Sequence, residues 1–204
     1  MPNVNKNFFE ILTRIARPIV KFFFPYEVFG AENISKMTGG YIICSNHISN
    51  MDPIFLSVIY LKTICFMAKV ELFRNKFLAF ILKKLGTFAV DRSRADLSAI
   101  EAAKEVLKNG EILGIFIEGT RSKTGDFLRP KMGAAKFAGE MEVPVLPVCI
   151  TGSGKNNKIR IFKKTKINFG APIPADKLKI EGDGLKSLKA ASNLIMEEIK
   201  SLRP

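Results

Sequence analysis

The sequence predicts an α/β layered fold: a sheet flanked by helices, preceded by an amphipathic helix suited to a membrane interface. Three observations carry that expectation. Short apolar runs alternate with amphipathic stretches from residue 26 onward. Gly and Pro punctuate the joints between them. Hydrophobic residues make up 47% of the 204 and charged residues 25%, a composition that buries a core instead of staying disordered. With no internal repeat, low-complexity tract or linker in view, the chain divides into a segment 1–25 and a single domain 26–204.

In residues 7–24, Phe8, Leu12, Ile15, Ile19 and Phe22 recur at alternating helical steps. Glu10, Arg14, Arg17 and Lys21 keep the same rhythm on the other side, and Pro18 is expected to kink or divide the helix. A Phe-rich face opposite a basic one suits a membrane interface, and Phe22-Phe23-Phe24 exceeds what one helix face needs. The alternative is a helix packed on the domain. Past Pro25, Val28-Phe29 and Tyr41 to Cys44 read as strands. Pro53 to Tyr60 reads as a helix, with Asp52 as its N-cap. Ile64 to Met67 is a strand candidate, Lys76 to Leu85 an amphipathic helix, and Thr87 to Val90 a strand. Leu97 to Lys108 follows as a helix ending at Asn109-Gly110. Ile112 to Ile117 is a buried-strand run, Gly133 to Glu140 a helix, and Val145 to Ile150 a strand. Pro144 and Pro147 point to an edge or a bulge there. Ile159 to Phe162 and Lys166 to Phe169 suggest a late strand pair, and Leu185 to Leu202 a closing helix.

A net charge of +13 calls for an anionic partner: nucleic acid, an anionic membrane surface or a phosphorylated substrate. The charge is spread along the chain without a helix-turn-helix, RNA-binding or zinc signature, so nucleic acid is not expected. Cys44, Cys65 and Cys149 sit in apolar runs, in odd number and without metal-ligand spacing; reduced core cysteines in an intracellular setting are expected, and no metal. No run of about 18 apolar residues predicts a spanning helix. Charges interrupt the N-terminal apolar residues, unlike a secretory signal. The basic run Lys155, Lys158, Arg160, Lys163, Lys164 and Lys166 reads as a solvated face, or as a contact for lipid headgroups or an acidic partner. Thr151-Gly-Ser-Gly-Lys155 lacks the first glycine and the Ser/Thr of a phosphate loop.

Chemistry concentrates in four blocks that follow or end predicted strands, where open α/β sheets place ligands. In Ser45-Asn46-His47-Ile48-Ser49-Asn50-Met51-Asp52-Pro53, His47 is the only histidine of the chain. A carboxylate five residues on can fix its tautomer and leave the second nitrogen free to take a proton; the plainer role for Asp52 is a helix cap. Gly86 to Arg92 delivers Arg92 to a strand end, where a guanidinium can clamp phosphate or simply pair with Asp91 or Asp96. In Phe116-Ile117-Glu118-Gly119-Thr120-Arg121-Ser122, Gly119 permits close backbone approach, and Thr120 and Arg121 offer hydroxyl or phosphate contacts. Glu118 can orient a hydroxyl or neutralise Arg121. Val143 to Val148 is expected to contribute shape, as one wall of an apolar pocket.

Together these blocks resemble the 1-acylglycerol-3-phosphate acyltransferase family of glycerolipid synthesis: N-H-x-x-x-x-D, a strand ending in D-R, F-x-E-G-T-R-S and V-P-V-L-P-V, in that order across residues 41–150. The resemblance implies a glycerolipid acyltransferase-like fold, His47 and Asp52 as the catalytic pair, and Arg92, Glu118, Gly119 and Arg121 at acceptor-binding positions. Lys131, in a following K-x-G, is a further phosphate candidate. It implies transfer of an acyl group from a thioester, acyl-CoA or acyl carrier protein, to the free hydroxyl of 1-acylglycerol 3-phosphate. It implies no bound cofactor, and a site of action at the cytoplasmic face of the cell membrane, with the protein held there peripherally or monotopically. Glycerol 3-phosphate or another lysolipid are the alternative acceptors; a non-catalytic basic protein binding membrane or nucleic acid is the alternative class. The family usually carries proline where this chain has Ile117.

Overall fold

The alternating apolar runs assemble into one seven-stranded sheet between two helical layers. The computed structural model describes residues 6–91 and 96–204, with side chains for all of these but 6, 7, 77 and 78. Helix α1 (Lys6–Phe23) leads into β1 (Tyr26–Phe29), a short α2 (Glu32–Ser35), β2 (Tyr41–Ser45) and α3 (Asp52–Tyr60). Then come β3 (Ile64–Lys69), α4 (Lys76–Lys84), β4 (Phe88–Val90), α5 (Leu97–Lys108) and β5 (Ile112–Phe116). The chain closes with α6 (Gly133–Met141), β6 (Val145–Gly152), β7 (Thr165–Phe169) and α7 (Gly184–Ser201).

Strand order is β1-β7-β6-β2-β5-β3-β4. Every pair is parallel except β6 with β7, so β1 and β7 run against the other five. β2 therefore lies between β5 and β6, buried at every residue. This explains its unbroken apolar run, because a strand covered on both faces has no solvent side to alternate with. Helices α5, α6 and α7 cover one face through Ala103, Val106, Ala135, Ala138 and Ile195. On the other face Phe55, Leu56 and Val58 of α3 and Val20 of α1 join Ile43, Leu146 and Ile167 of the sheet.

Four elements differ from the sequence expectation. β6 is central, not an edge. Pro147 is tolerated because its carbonyl faces Gly170 just past the end of β7, accepting at 2.9 Å where the regular ladder has not begun. Ile159 to Phe162 forms no strand; Phe162 sits at φ 58, a turn conformation, and β7 instead pairs with β1 and β6. Helix α3 begins at Asp52 rather than after it, and the Asp52 side chain does not cap the helix. Helix α1 passes through Pro18 unbroken, its missing bond falling on the solvent side, where Arg14 and Pro18 are both exposed.

The predicted stripe of α1 faces outward. Phe9 (1% exposed), Thr13 and Val20 dock the helix, while Ile15 (59%), Ile19 (53%) and Phe22 (66%) stand in solvent, joined by Ile11 (60%). Leu12 is half-buried between the two sides. No helix among the described residues is long and apolar enough to cross a membrane.

Candidate active site

The carboxyl ends of β2 and β5 lie side by side, Ser45 opposite Phe116, and the first and third sequence blocks emerge there together. Backbone bonds lace them to each other. The Ile117 amide donates to Ser45 O (3.0 Å), the Ser122 amide to His47 O (2.8 Å) and the Lys131 amide to Ile117 O (2.8 Å). The first of these depends on the departure at Ile117, because a proline there has no N–H to give.

Asn46, absent from the sequence-based candidates, fixes the last residue before the histidine. Buried at 1% exposure, its side-chain amide donates to Ile150 O (2.9 Å) and its carbonyl accepts from Ile150 N (2.8 Å). The side chain thus replaces a backbone rung and extends the pairing of β2 with β6 beyond Ser45. An asparagine beside the histidine was the available signal, but its partner lies 104 residues away.

His47 Nδ1 lies 2.7 Å from Asp52 Oδ2. That same oxygen accepts from the amides of Ile48 (2.7 Å) and Ser49 (2.8 Å), and Asp52 is fully buried. A carboxylate oxygen already receiving two N–H donors is an acceptor toward the ring, so Nδ1 carries the proton and Nε2 presents its lone pair. The imidazole is held flat by a second contact. It stacks on Phe116 at 4.0 Å, and Phe116 stacks on Phe66 at 5.6 Å. Gly114 makes room for this pile: a Cβ there would meet the Phe66 ring at 2.3 Å.

Glu118 is 2% exposed and accepts weakly from the His47 amide through Oε1, at 3.4 Å. Burial pushes its carboxyl up to about 7, opposed by the His47 and Leu128 amides and reinforced by the nearby Asp52 charge. Among the described residues, nothing hydrogen-bonds to the buried Glu118 Oε2 and Asp52 Oδ1. Gly119 turns the chain at φ 68, and the Lys131 side chain lies across it, its Cγ about 3.2 Å from where a Cβ would stand. Thr120, Arg121 and Lys131 are exposed. Arg92 lies outside the described residues; Asp96 caps α5 by accepting from Ala99 N at 3.2 Å.

The fourth block is core, not pocket wall: Val145, Leu146 and Val148 are fully buried. Its role is to carry Ile150 to Asn46. An apolar cleft of about 650 Å³ lies elsewhere, between α4, β4 and α5, lined by Phe73, Phe80, Phe88 and Ala102 with Lys83 and Lys84. It is three strands from β2 and does not include His47. Burial keeps the Cys44 thiol far above its usual range and pushes Cys65 up to about 12, so both behave as core residues.

Residues 26–151 match the Acyltransferase family. The chain is similar to the 1-acyl-sn-glycerol-3-phosphate acyltransferases of Bacillus subtilis, 35% identical over 72% of this chain and 73% of that one, and of Streptococcus pneumoniae, 29% identical over 84% and 63%. It spans only about half the length of several other relatives so named. Its fold is similar to the crystal structure of the 1-acyl-sn-glycerophosphate (LPA) acyltransferase PlsC of Thermotoga maritima, with TM-score 0.70 and 26% identity over 97% of this chain and 79% of that one. The histidine–aspartate pair, the laced third block and these likenesses converge: the chain belongs to the acyltransferase family, among the 1-acyl-sn-glycerol-3-phosphate acyltransferases.

Proposed function

We propose that this protein transfers a fatty acyl group from a thioester to the free hydroxyl of 1-acylglycerol 3-phosphate, giving phosphatidic acid. The observation that carries the reading is the 2.7 Å contact between His47 Nδ1 and the buried Asp52, which leaves Nε2 as a fixed base. Nε2 takes the hydroxyl proton as that oxygen attacks the thioester carbonyl. The carbon–sulfur bond then breaks, and the imidazolium returns a proton to the departing thiolate. No covalent enzyme intermediate and no bound cofactor enter this scheme; acyl-CoA or an acyl carrier protein brings the acyl group. Arg121 and Lys131, on the exposed turn beside His47, hold the acceptor phosphate, with Arg92 a third candidate. The cleft between α4, β4 and α5 offers apolar surface for an acyl chain. The outward apolar face of α1, with Arg14, Arg17 and Lys21 beside it, rests on an anionic membrane at the cytoplasmic face.

The test is turnover by wild type and His47→Ala with lysophosphatidic acid on vesicles, with acyl-CoA and acyl carrier protein thioesters offered separately. Wild type should give phosphatidic acid with one of these donors, and His47→Ala should lose roughly 10²–10⁴-fold in rate while remaining folded. Undiminished turnover in the variant would overturn the mechanism, because no other histidine exists to substitute. A folded wild type silent with both donors would overturn the choice of acceptor.

A further inference from the structure

The exposed apolar surface of α1 continues past the end of the helix. Phe22 and Phe23 meet Phe162, from the segment between β6 and β7, with both centroid separations 5.9 Å. The Phe162 amide donates to Phe23 O at 2.7 Å, which pins that segment to the helix end. Yet the rings are not a buried cluster: Phe22 is 66% exposed, Phe162 61% and the adjacent Ile161 56%. Phe162 also sits at φ 58, a conformation disfavoured for a bulky side chain, so local packing alone gives poor reason for an aromatic there. Lys158 and Lys163 flank these side chains in the chain and are exposed.

Sheet register places this cluster relative to His47. Tyr26 pairs with Thr165, and Thr165 with Gly152, so β1 and β7 start where β6 ends. That is the end at which Asn46 grips Ile150 and His47 emerges. β7 is two strands from β2, roughly 10 Å across the sheet. The rings and the candidate base therefore share one end of the molecule.

We infer that Phe22, Phe23, Ile161 and Phe162, flanked by Lys158 and Lys163, form a wedge that enters an anionic bilayer and holds the His47 end of the sheet at the lipid surface. The inference rests on the membrane reading of α1 and adds a second limb to it. An acidic carrier protein would suit the lysines, but four large apolar side chains at the centre call for hydrocarbon. Two limbs also do what one helix cannot: a single helix leaves the domain free to roll about its axis, whereas a second contact fixes which end faces the lipid.

The test uses the full chain with phosphatidylcholine vesicles, with and without phosphatidylglycerol, in cosedimentation, and turnover on a soluble short-chain 1-acylglycerol phosphate. Phe162→Gly fits the positive φ, so it removes the ring without removing the fold. It should bind both vesicle types roughly tenfold more weakly, with wild-type Tm and wild-type turnover on the soluble acceptor. Lys158→Gln with Lys163→Gln should lose about fivefold per lysine on anionic vesicles only, an effect erased by high salt. A control pair, Ile15→Ser with Ile19→Ser, reports on α1 alone. If that pair weakens binding while Phe162→Gly and the lysine variant bind like wild type, the inference fails and the membrane reading stands. A wild type that ignores vesicles removes both. A fall in Tm for Phe162→Gly with vesicle affinity intact would reduce the ring to packing and overturn the wedge. Loss confined to an acidic carrier protein would assign the surface to the donor and overturn it equally.

Discussion

Two sets of polar side chains meet at the carboxyl end of the sheet, and they are built in opposite ways. Asp52 is fully buried, with three donors converging on one oxygen, and the imidazole it holds by the edge rests its face on a pile of two phenyl rings. Arg121 and Lys131 stand exposed on the neighbouring turn, at the ends of long flexible stems. The contrast follows from what each set is proposed to do. Proton transfer depends on a nitrogen already in place and in one tautomer, because misplacement directly lowers the rate. Phosphate binding tolerates side chains that gather only when the anion arrives, with some ordering cost offset by charge-assisted bonds.

The largest effect expected from breaking this contrast is at the buried member. Asp52→Ala should lower turnover by roughly 10²–10⁴-fold, since it frees both tautomer and ring. It should also destabilise the fold by about 1–3 kcal/mol, because the Ile48 and Ser49 amides lose their acceptor. Asp52→Asn separates the two outcomes: its carbonyl can still accept from both amides, so denaturant unfolding should show stability largely restored while turnover remains low. If Asp52→Asn restored turnover as well, the carboxylate would be only a loop brace.

A smaller, differently shaped effect is expected at the exposed pair. Arg121→Ala and Lys131→Ala should each reduce kcat/KM by about 10–100-fold, the range for losing a charge-assisted bond to phosphate. The loss should fall mainly on KM, and Tm should stay at the wild-type value. A combined fall in Tm and kcat at either position would mean that the turn, and not the phosphate, depends on the side chain.

The same contrast governs what was legible in the sequence. The spacing of His47 and Asp52 announced the pair, and the apolar runs located most strands and helices, because these signals are local. What spacing could not convey is the direction of the Asp52 side chain. A residue before Pro53 reads as a cap, but its carboxylate turns back to the amides of Ile48 and Ser49. The Asn46 clamp was hidden because Ile150 comes near only when β6 pairs with β2. Gly114 was hidden for a related reason: within β5 it is one more small residue, and only the register Phe66 opposite Gly114 reveals the space it leaves for a ring. Pro147 misled because missing a donor matters only on the side where a ladder is present. The alternation in Ile159 to Phe162 misled because a positive φ at Phe162 outweighs a strand-like pattern.

Glu118 stands between the two regions, buried like Asp52 but carried on the block of Arg121, and it sharpens the comparison through pH. Its carboxyl is pushed from an ordinary 4.5 to about 7, chiefly by burial. Between those values the folded chain holds a proton that the unfolded chain releases, so this group's contribution to stability is full below about 4.5 and is lost as pH rises through about 7. Glu118→Gln removes that loss while keeping a carbonyl oxygen for the His47 amide. At pH 4, below both values, the variant and wild type should melt alike. At pH 8 the variant should be more stable by roughly 2 kcal/mol, a few degrees in Tm. A wild type that instead gains on the variant as pH rises would mean that an anion at position 118 is stabilised in the fold, by a cation from the Arg121 turn. The division between a buried proton-handling set and an exposed phosphate-binding set would then have to be redrawn with Glu118 on the phosphate side.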